Sequence, residues 1–166
     1  MERLWAPWRS GYVSTLGENG PQGPGECLFC RVGREGPARH RENLVVRETP
    51  AGLVMLNRYP YNTGHVMIAP RAHVAALEEL EPPAAAALAE LLIDALRLVR
   101  RAYRPDGVNV GMNLGRVAGA GIPDHCHWHV VPRFFGDTNF MASVGETKVL
   151  SESLEATLAR LTQTVR

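Results

Sequence analysis

Three of the six histidines in this 166-residue chain lie within five consecutive positions, as His125, His127 and His129. Alternate side chains of a β-strand project from the same face, so a strand here would place the three imidazoles in one row. Such a row suits two kinds of chemistry: coordination of zinc or copper, and attack on a phosphate group or neutralisation of its charge. Packing is a weaker explanation, because every buried imidazole needs a hydrogen-bond partner.

A glycine-rich loop at 115–121 shortly precedes these histidines. Its glycines, including Gly119 and Gly121, would leave backbone N–H groups open to a ligand, with few side chains in the way. Donors of this kind suit phosphate oxygens, although a plain hairpin connection has the same composition. Beside three histidines, the loop favours phosphate chemistry.

Cys27 and Cys30 form a Cys-x-x-Cys pair, and the total of three cysteines is odd. In a reducing compartment this spacing indicates metal binding or redox chemistry before a structural disulfide. The third cysteine, Cys126, would alternate away from the histidine face of the strand. It is interpreted as a buried apolar residue.

The overall charge excludes some classes of partner. The chain has 18 basic and 17 acidic side chains, so no strong field attracts nucleic acid or a membrane surface, and any anion must be bound locally. The N-terminus has no apolar signal-like stretch, and the longest apolar segment, around 84–93, contains Glu90 and is too short to span a bilayer. A soluble cytoplasmic protein is expected.

The elements that must position the histidines are predicted from periodicity and turn residues. Strand patterns alternate with turns, and two segments have helical spacing, which predicts an α+β domain with one antiparallel sheet, one long helix and a C-terminal helix, the helices lying on one face of the sheet. A short segment at 74–80 is also a candidate helix. The predicted strands are 44–48, 53–56, 65–69, 108–113 and 125–132, and the predicted helices are 84–102 and 150–165.

A glycine- and proline-rich segment at 17–25 separates an N-terminal arm from the body of the chain. The predicted organisation is an arm with its linker at 1–26 and one domain at 27–166. The arm contains Trp5, Trp8 and Tyr12, which are expected to pack on the body or on a partner.

The sequence His-Cys-His-Trp-His-Val-Val at 125–131 resembles the signature of the histidine-triad (HIT) nucleotide-binding family, in which three histidines alternate with apolar residues. Other segments are similar to the diadenosine tetraphosphate (Ap4A) phosphorylase branch of that family. The resemblance covers nearly the whole chain except 17–25. The segments that carry it are 4–9 with Tyr12, 57–65, 109–115 and 132–140.

The resemblance implies a role for each matching residue. His127 would be the nucleophile and would form a covalent nucleotidyl-imidazole intermediate, while His125 and His129 would contact phosphate or bridging oxygens, one of them assisting the leaving group. Asn113 would contact the phosphate region, and Asn57 would bind the ribose hydroxyls or, alternatively, only cap its turn. A neutral imidazole, with a pKa of about 6.5, is a competent nucleophile at neutral pH. Its other ring nitrogen should then donate to a backbone carbonyl or similar acceptor.

The resemblance also implies a structural Zn²⁺ held by Cys27, Cys30, His73 and His125. Two cysteines and two histidines form a closed tetrahedral set that would attach the N-terminal segment to the body. The alternative is a pair of free thiols and a surface histidine. A further divalent ion is a candidate companion of the polyphosphate substrate.

One segment departs from the family pattern. Many members carry a Ser, Thr or Gln three to five residues before the first triad histidine, where this chain has Ala120, Gly121 and Ile122. If that side chain holds inorganic phosphate, its loss favours water as the acceptor, unless the Gly121 N–H compensates. Both acceptors remain open, as do a nucleoside phosphoramidate hydrolase and a nucleotide- or metal-binding module without turnover. The resemblance further implies a homodimer formed through the long helix and a sheet edge.

Overall fold

The computed structural model describes residues 26–138 and 149–165. The predicted arm and nearly all of its linker lie outside these residues, so the division into 1–26 and 27–166 stays a prediction. Among the described residues, no helix is both long and apolar enough to cross a membrane.

A single antiparallel sheet of five strands forms the centre of the described chain. Its spatial order is β1-β2-β3-β5-β4, so the last two strands in sequence exchange places. The α+β class with one antiparallel sheet is as predicted. The strands are β1 (Val45–Glu48), β2 (Gly52–Leu56), β3 (Val66–Pro70), β4 (Gly107–Met112) and β5 (Trp128–Arg133).

The long helix predicted at 84–102 is α2 (Pro82–Tyr103), which begins two residues earlier because proline suits the first helical turn. Its buried residues recur at helical spacing and pack on one face of the sheet: Leu88, Leu91, Ala95, Leu98 and Val99. The C-terminal helix α3 (Leu154–Val165) packs against α2 and β1 and starts four residues later than predicted.

A helix that the sequence analysis did not predict, α1 (Leu28–Glu35), covers the opposite face of the sheet. The expectation of helices on one face only is therefore wrong. Alternate strand residues form a second core beneath α1, because successive side chains point to opposite faces. This core consists of Phe29, Val32, Val45, Leu53, Met55, Met67 and Ala69.

The last strand is shorter than predicted, because β5 begins at Trp128 and not at position 125. The reason is a change of hydrogen-bond partner: the Cys126 N–H donates to the carbonyl of Val74, at 2.7 Å, in the loop after β3. The candidate helix at 74–80 is likewise reduced to a 3₁₀ turn, Leu77–Glu79.

The contact between β2 and β3 leaves no room for a side chain at Gly52. A Cβ placed there would lie 2.1 Å from the carbonyl oxygen of Ala69. We expect Gly52→Ala to lower the free energy of unfolding by about 2–3 kcal/mol. Gly107→Ala is the matched control, since its Cβ would meet only the Cβ of Arg133, at 3.9 Å. Urea titrations of both variants provide the measurement, and equal losses would contradict the prediction.

Candidate active site

The three clustered histidines lie side by side where the glycine-rich loop leads into β5. His129 is the second residue of β5, where it pairs with Met67 of β3 and Gly111 of β4. The rings of His127 and His129 are 4.9 Å apart between centroids. The ring of Phe29 in α1 lies 5.0 Å from the rings of both His125 and His127. The rings of His127 and His129 are therefore adjacent, as alternation predicted, whereas the ring of His125 contacts that of His73, and only His129 lies within a strand.

His127 has a defined tautomer. Its Nδ1 lies 2.9 Å from the backbone carbonyl oxygen of His125, an acceptor, so Nδ1 carries the proton and Nε2 has the lone pair. Burial lowers the pKa of His127 below its ordinary value, which favours this neutral form. Every buried side-chain nitrogen or oxygen among the described residues has a hydrogen-bond partner. Nε2 of His127 has none among them, so this nitrogen reaches the accessible surface.

His129 has the opposite tautomer, and its neighbour His65 determines it. Nδ1 of His65 accepts a hydrogen bond from the Tyr61 backbone N–H, at 3.1 Å, so the proton of neutral His65 is on Nε2. That Nε2–H donates to Nδ1 of His129 at 2.9 Å. The pKa of His65 is lowered to about 3, mainly by burial and to a smaller extent by repulsion from His129 and His127. His129 consequently accepts at Nδ1 and carries its own proton on Nε2.

The two adjacent imidazoles of His127 and His129 thus offer complementary groups. One presents a lone pair and the other an N–H donor, the combination that attack on phosphorus beside a negatively charged oxygen requires. The sequence pattern indicated only that His65 starts a strand. It did not indicate that His65 determines the tautomer of His129. The available signal was a titratable residue at the start of an otherwise apolar strand.

The predicted nucleotide-binding residues outside the triad differ in their hydrogen bonding. The side-chain oxygen of Asn57 accepts the Tyr59 backbone N–H at 2.9 Å, so the turn-capping alternative is present, and its amide N–H₂ group remains a donor. The amide of Asn113 donates to the Gly119 carbonyl at 3.4 Å, and the Gly119 N–H donates within its own loop. The Gly121 N–H has no acceptor among the described residues.

The four predicted metal ligands converge, with their ligand atoms all within 4.8 Å of one another. Sγ of Cys27 lies 3.2 Å from Nδ1 of His125, and Sγ of Cys30 lies 3.4 Å from Nδ1 of His73. The two Nδ1 atoms are 3.3 Å apart. Tetrahedral zinc with thiolate and imidazole ligands has ligand separations of about 3.3–3.8 Å, so these residues fit the ion.

The protonation states of the cluster also suit a cation. Nε2–H of His125 donates to the carbonyl of Pro70 at 3.0 Å, which directs the Nδ1 lone pair towards the other ligands. Burial lowers the pKa of His125 to about 4, so the ring is neutral. Burial and then the neighbouring Cys27 raise the pKa of the Cys30 thiol, an effect that a bound dication reverses.

Comparison with known proteins identifies the family. The HIT domain family model matches residues 38–136. The chain belongs to the HIT family. It is 36% identical over 161 residues to an AP-4-A phosphorylase of Mycobacterium tuberculosis, covering 95% of this chain and 80% of that protein. It is also 28% identical over 138 residues to an adenosine 5'-monophosphoramidase of Schizosaccharomyces pombe, covering 78% of this chain and 96% of the relative.

Solved HIT structures share the fold. A Zn-bound histidine-triad family protein of Mycobacterium smegmatis is 26% identical with a TM-score of 0.66, covering 84% of this chain and 93% of that one. A hypothetical histidine-triad nucleotide-binding protein of Sulfolobus tokodaii gives the same TM-score at 24% identity, covering 84% and 91% of the two chains. The resemblance to the HIT family and the expected fold are confirmed. HIT relatives include enzymes that act on nucleotides.

The buried neutral His65 makes stability depend on pH. Its pKa of about 3 in the folded protein lies below the value of 6.5 in an unfolded chain, so the unfolded state binds the proton more readily. Its contribution is complete above about pH 6.5 and is lost as the pH falls towards 3. We expect His65 to account for a loss of about 2 kcal/mol between pH 7 and 5.

The matched variant is His65→Gln, which keeps a neutral donor and does not titrate. Chemical denaturation of both proteins at the two pH values measures the difference. An equal loss of stability in the wild type and the variant would show that His65 does not carry this proton linkage.

Proposed function

We propose that this protein transfers a nucleotidyl group from a dinucleoside polyphosphate, such as Ap4A, to inorganic phosphate or water through a covalent intermediate on His127. The observation that carries the proposal is the tautomer of His127, whose Nδ1–H bond to the His125 carbonyl leaves the accessible Nε2 with a lone pair. The 36% identity to an AP-4-A phosphorylase over 95% of the chain supports this substrate class.

The first chemical step forms one bond and breaks another. Nε2 of His127 attacks the phosphorus next to one adenosine, the P–N bond forms, and the P–O bond to the departing ATP breaks. The imidazole becomes cationic, and its Nδ1–H bond to the carbonyl of His125 strengthens as that charge develops. His129 donates its Nε2–H to a phosphate oxygen, where negative charge accumulates.

The second step returns the lone pair to His127. An oxygen of inorganic phosphate or of water attacks the same phosphorus, and the P–N bond breaks. Phosphate as acceptor yields ADP, whereas water yields AMP and releases its proton to solvent. The Gly121 N–H can bind phosphate or water, because it donates to no protein group among the described residues. The adjacent residues Ala120 and Ile122 have no side-chain hydroxyl that could bind them instead.

His125 acts in this proposal through its backbone and as a metal ligand. Its ring nitrogens face the cysteine cluster and Pro70, which favours a structural role over contact with substrate. Cys27, Cys30, His73 and His125 would hold Zn²⁺, which when bound supplies a cross-link between α1 and the sheet. A second divalent ion accompanying the polyphosphate remains a prediction from the sequence.

Hydrolysis of nucleoside phosphoramidates is a second candidate function. It is favoured by the 28% identity to an adenosine 5'-monophosphoramidase over 78% of this chain. The same nucleophile would act, and only the leaving group would differ. A binding module without turnover has less support, because binding alone does not require an accessible unprotonated imidazole nitrogen.

The test is incubation of the purified protein with Ap4A, with and without phosphate, with products separated by anion exchange. We expect ADP and ATP when phosphate is the acceptor, or AMP and ATP with water. His127→Ala should lower turnover by about 10⁴-fold or more, while His40→Ala, outside the row, should retain it. After quenching in denaturant at alkaline pH, where the P–N bond is stable, a mass increase of one adenylyl group on His127 is expected. Absence of turnover of Ap4A by the wild type would contradict the proposed substrate.

We further propose that the protein is a cytoplasmic homodimer built on the edge of β4 and on α2. β4 lies at the end of the sheet, and Val110 on this strand and Ile93 on α2 are both exposed, at 43% and 46%. An edge strand with exposed apolar side chains favours pairing with a second copy.

Light scattering after size exclusion at micromolar concentration should give twice the mass of one chain. Val110→Lys should shift the population towards monomer, because it places a charge in the apolar contact. Val149→Lys, at an exposed position distant in sequence from β4, is the control. A monomeric wild type would contradict the homodimer.

A further inference from the structure

The proposed metal cluster and the proposed nucleophile share one residue, His125. Its ring belongs to the cluster, with Nδ1 3.2 Å from Sγ of Cys27 and 3.3 Å from Nδ1 of His73. Its backbone carbonyl accepts the Nδ1–H of His127 at 2.9 Å. The group that determines the tautomer of the nucleophile is therefore attached to a candidate metal ligand.

Both nitrogens of the His125 ring have defined partners once a cation is bound. Nδ1 would face the ion, while Nε2–H already donates to the carbonyl of Pro70. The residue is 1% exposed, so water does not replace these partners. A ring held at both nitrogens restricts its own backbone, and with it the carbonyl that His127 uses.

Phe29 forms a second connection between the cluster and the nucleophile. It stands between Cys27 and Cys30 in α1, is 2% exposed, and its ring contacts the rings of both His125 and His127 at 5.0 Å. α1 has only 8 residues, a length at which a helix depends on tertiary contacts for its stability. Ligation of Cys27, the residue before α1, and of Cys30 in its first turn would hold Phe29 against His127.

We propose that a metal ion bound by Cys27, Cys30, His73 and His125 fixes the tautomer and position of His127, with Phe29 and the His125 peptide as the positioning groups. Loss of the ion allows α1 and the peptide to shift, and His127 then populates both tautomers. The form with a proton on Nε2 has no lone pair to attack phosphorus. The consequence for catalysis rests on the proposed function, whereas the consequence for the tautomer does not.

The primary test observes the tautomer directly, by long-range ¹H–¹⁵N NMR of ¹⁵N-labelled protein. Zinc-loaded wild type should show His127 protonated on Nδ1 alone, and chelator-treated protein should show both tautomers. His73→Ala should resemble the metal-free protein, because His73 belongs to the cluster and its ring contacts His125 without a recorded contact to His127. His40→Ala is the matched control and should resemble the wild type.

Two further measurements distinguish the effect of metal binding from that of the contact between Phe29 and His127. Substitution with Co²⁺ should give the absorption of tetrahedral thiolate coordination in the wild type and in Phe29→Leu, but not in His73→Ala. Phe29→Leu should then mix the His127 tautomers although metal is bound. With nucleotide substrate, loss of metal should lower kcat by about 10–100-fold with little change in KM, and zinc should restore the wild type and His40→Ala but not His73→Ala.

Either of two results would overturn the proposal: no Co²⁺ coordination by the wild type, or His127 protonated on Nδ1 alone in both the metal-free and His73→Ala proteins. If His73→Ala does not fold, chelator-treated wild type decides the same question. A tautomer that follows metal occupancy in a protein that turns over no nucleotide would contradict the proposed function and leave the coupling intact.

Discussion

The arrangement of the site depends on one hydrogen bond, from Nδ1 of His127 to the backbone carbonyl of the residue two positions earlier. A neutral imidazole has one proton and one lone pair, so an acceptor at one nitrogen determines what the other nitrogen can do. The carbonyl is in place because Cys126 pairs with the loop after β3 before the strand begins. In a regular strand this carbonyl would pair with a neighbouring strand. Because the segment between the loop and β5 is irregular, the carbonyl accepts from His127 instead.

The neighbouring imidazole of His129 receives the opposite assignment by the same physical rule. A backbone N–H of Tyr61 directs the proton of His65 to Nε2, and this Nε2–H then donates to Nδ1 of His129. One backbone acceptor and one backbone donor thus convert two chemically identical side chains into a lone pair and an N–H group. Burial of His65 and His127 maintains this arrangement, because it lowers the pKa of each and so disfavours their doubly protonated rings.

The two faces of the sheet differ in the residues that they carry. Helices α2 and α3 cover one face with the larger of the two apolar cores. The other face is covered by the short α1, and there the apolar residues give way to histidines and cysteines. His129, to which we assign a role in the proposed reaction, extends from β5, whose neighbouring residues Trp128 and Val130 pack in the opposite core and so hold it in place.

The sequence by itself determined the row of histidines, the converging ligand set, the long helix and most strands, because each depends on a local pattern or on a family signature. Only the tertiary structure decided the tautomers, since His65 and His129 meet across 64 positions and the His125 carbonyl is positioned by the bond between Cys126 and Val74. Helix α1 escaped prediction because it spans only 8 residues, fewer than the stretch over which helical periodicity is recognised in a sequence. The start of β5 was placed too early because alternation identifies a face and not a hydrogen-bond partner.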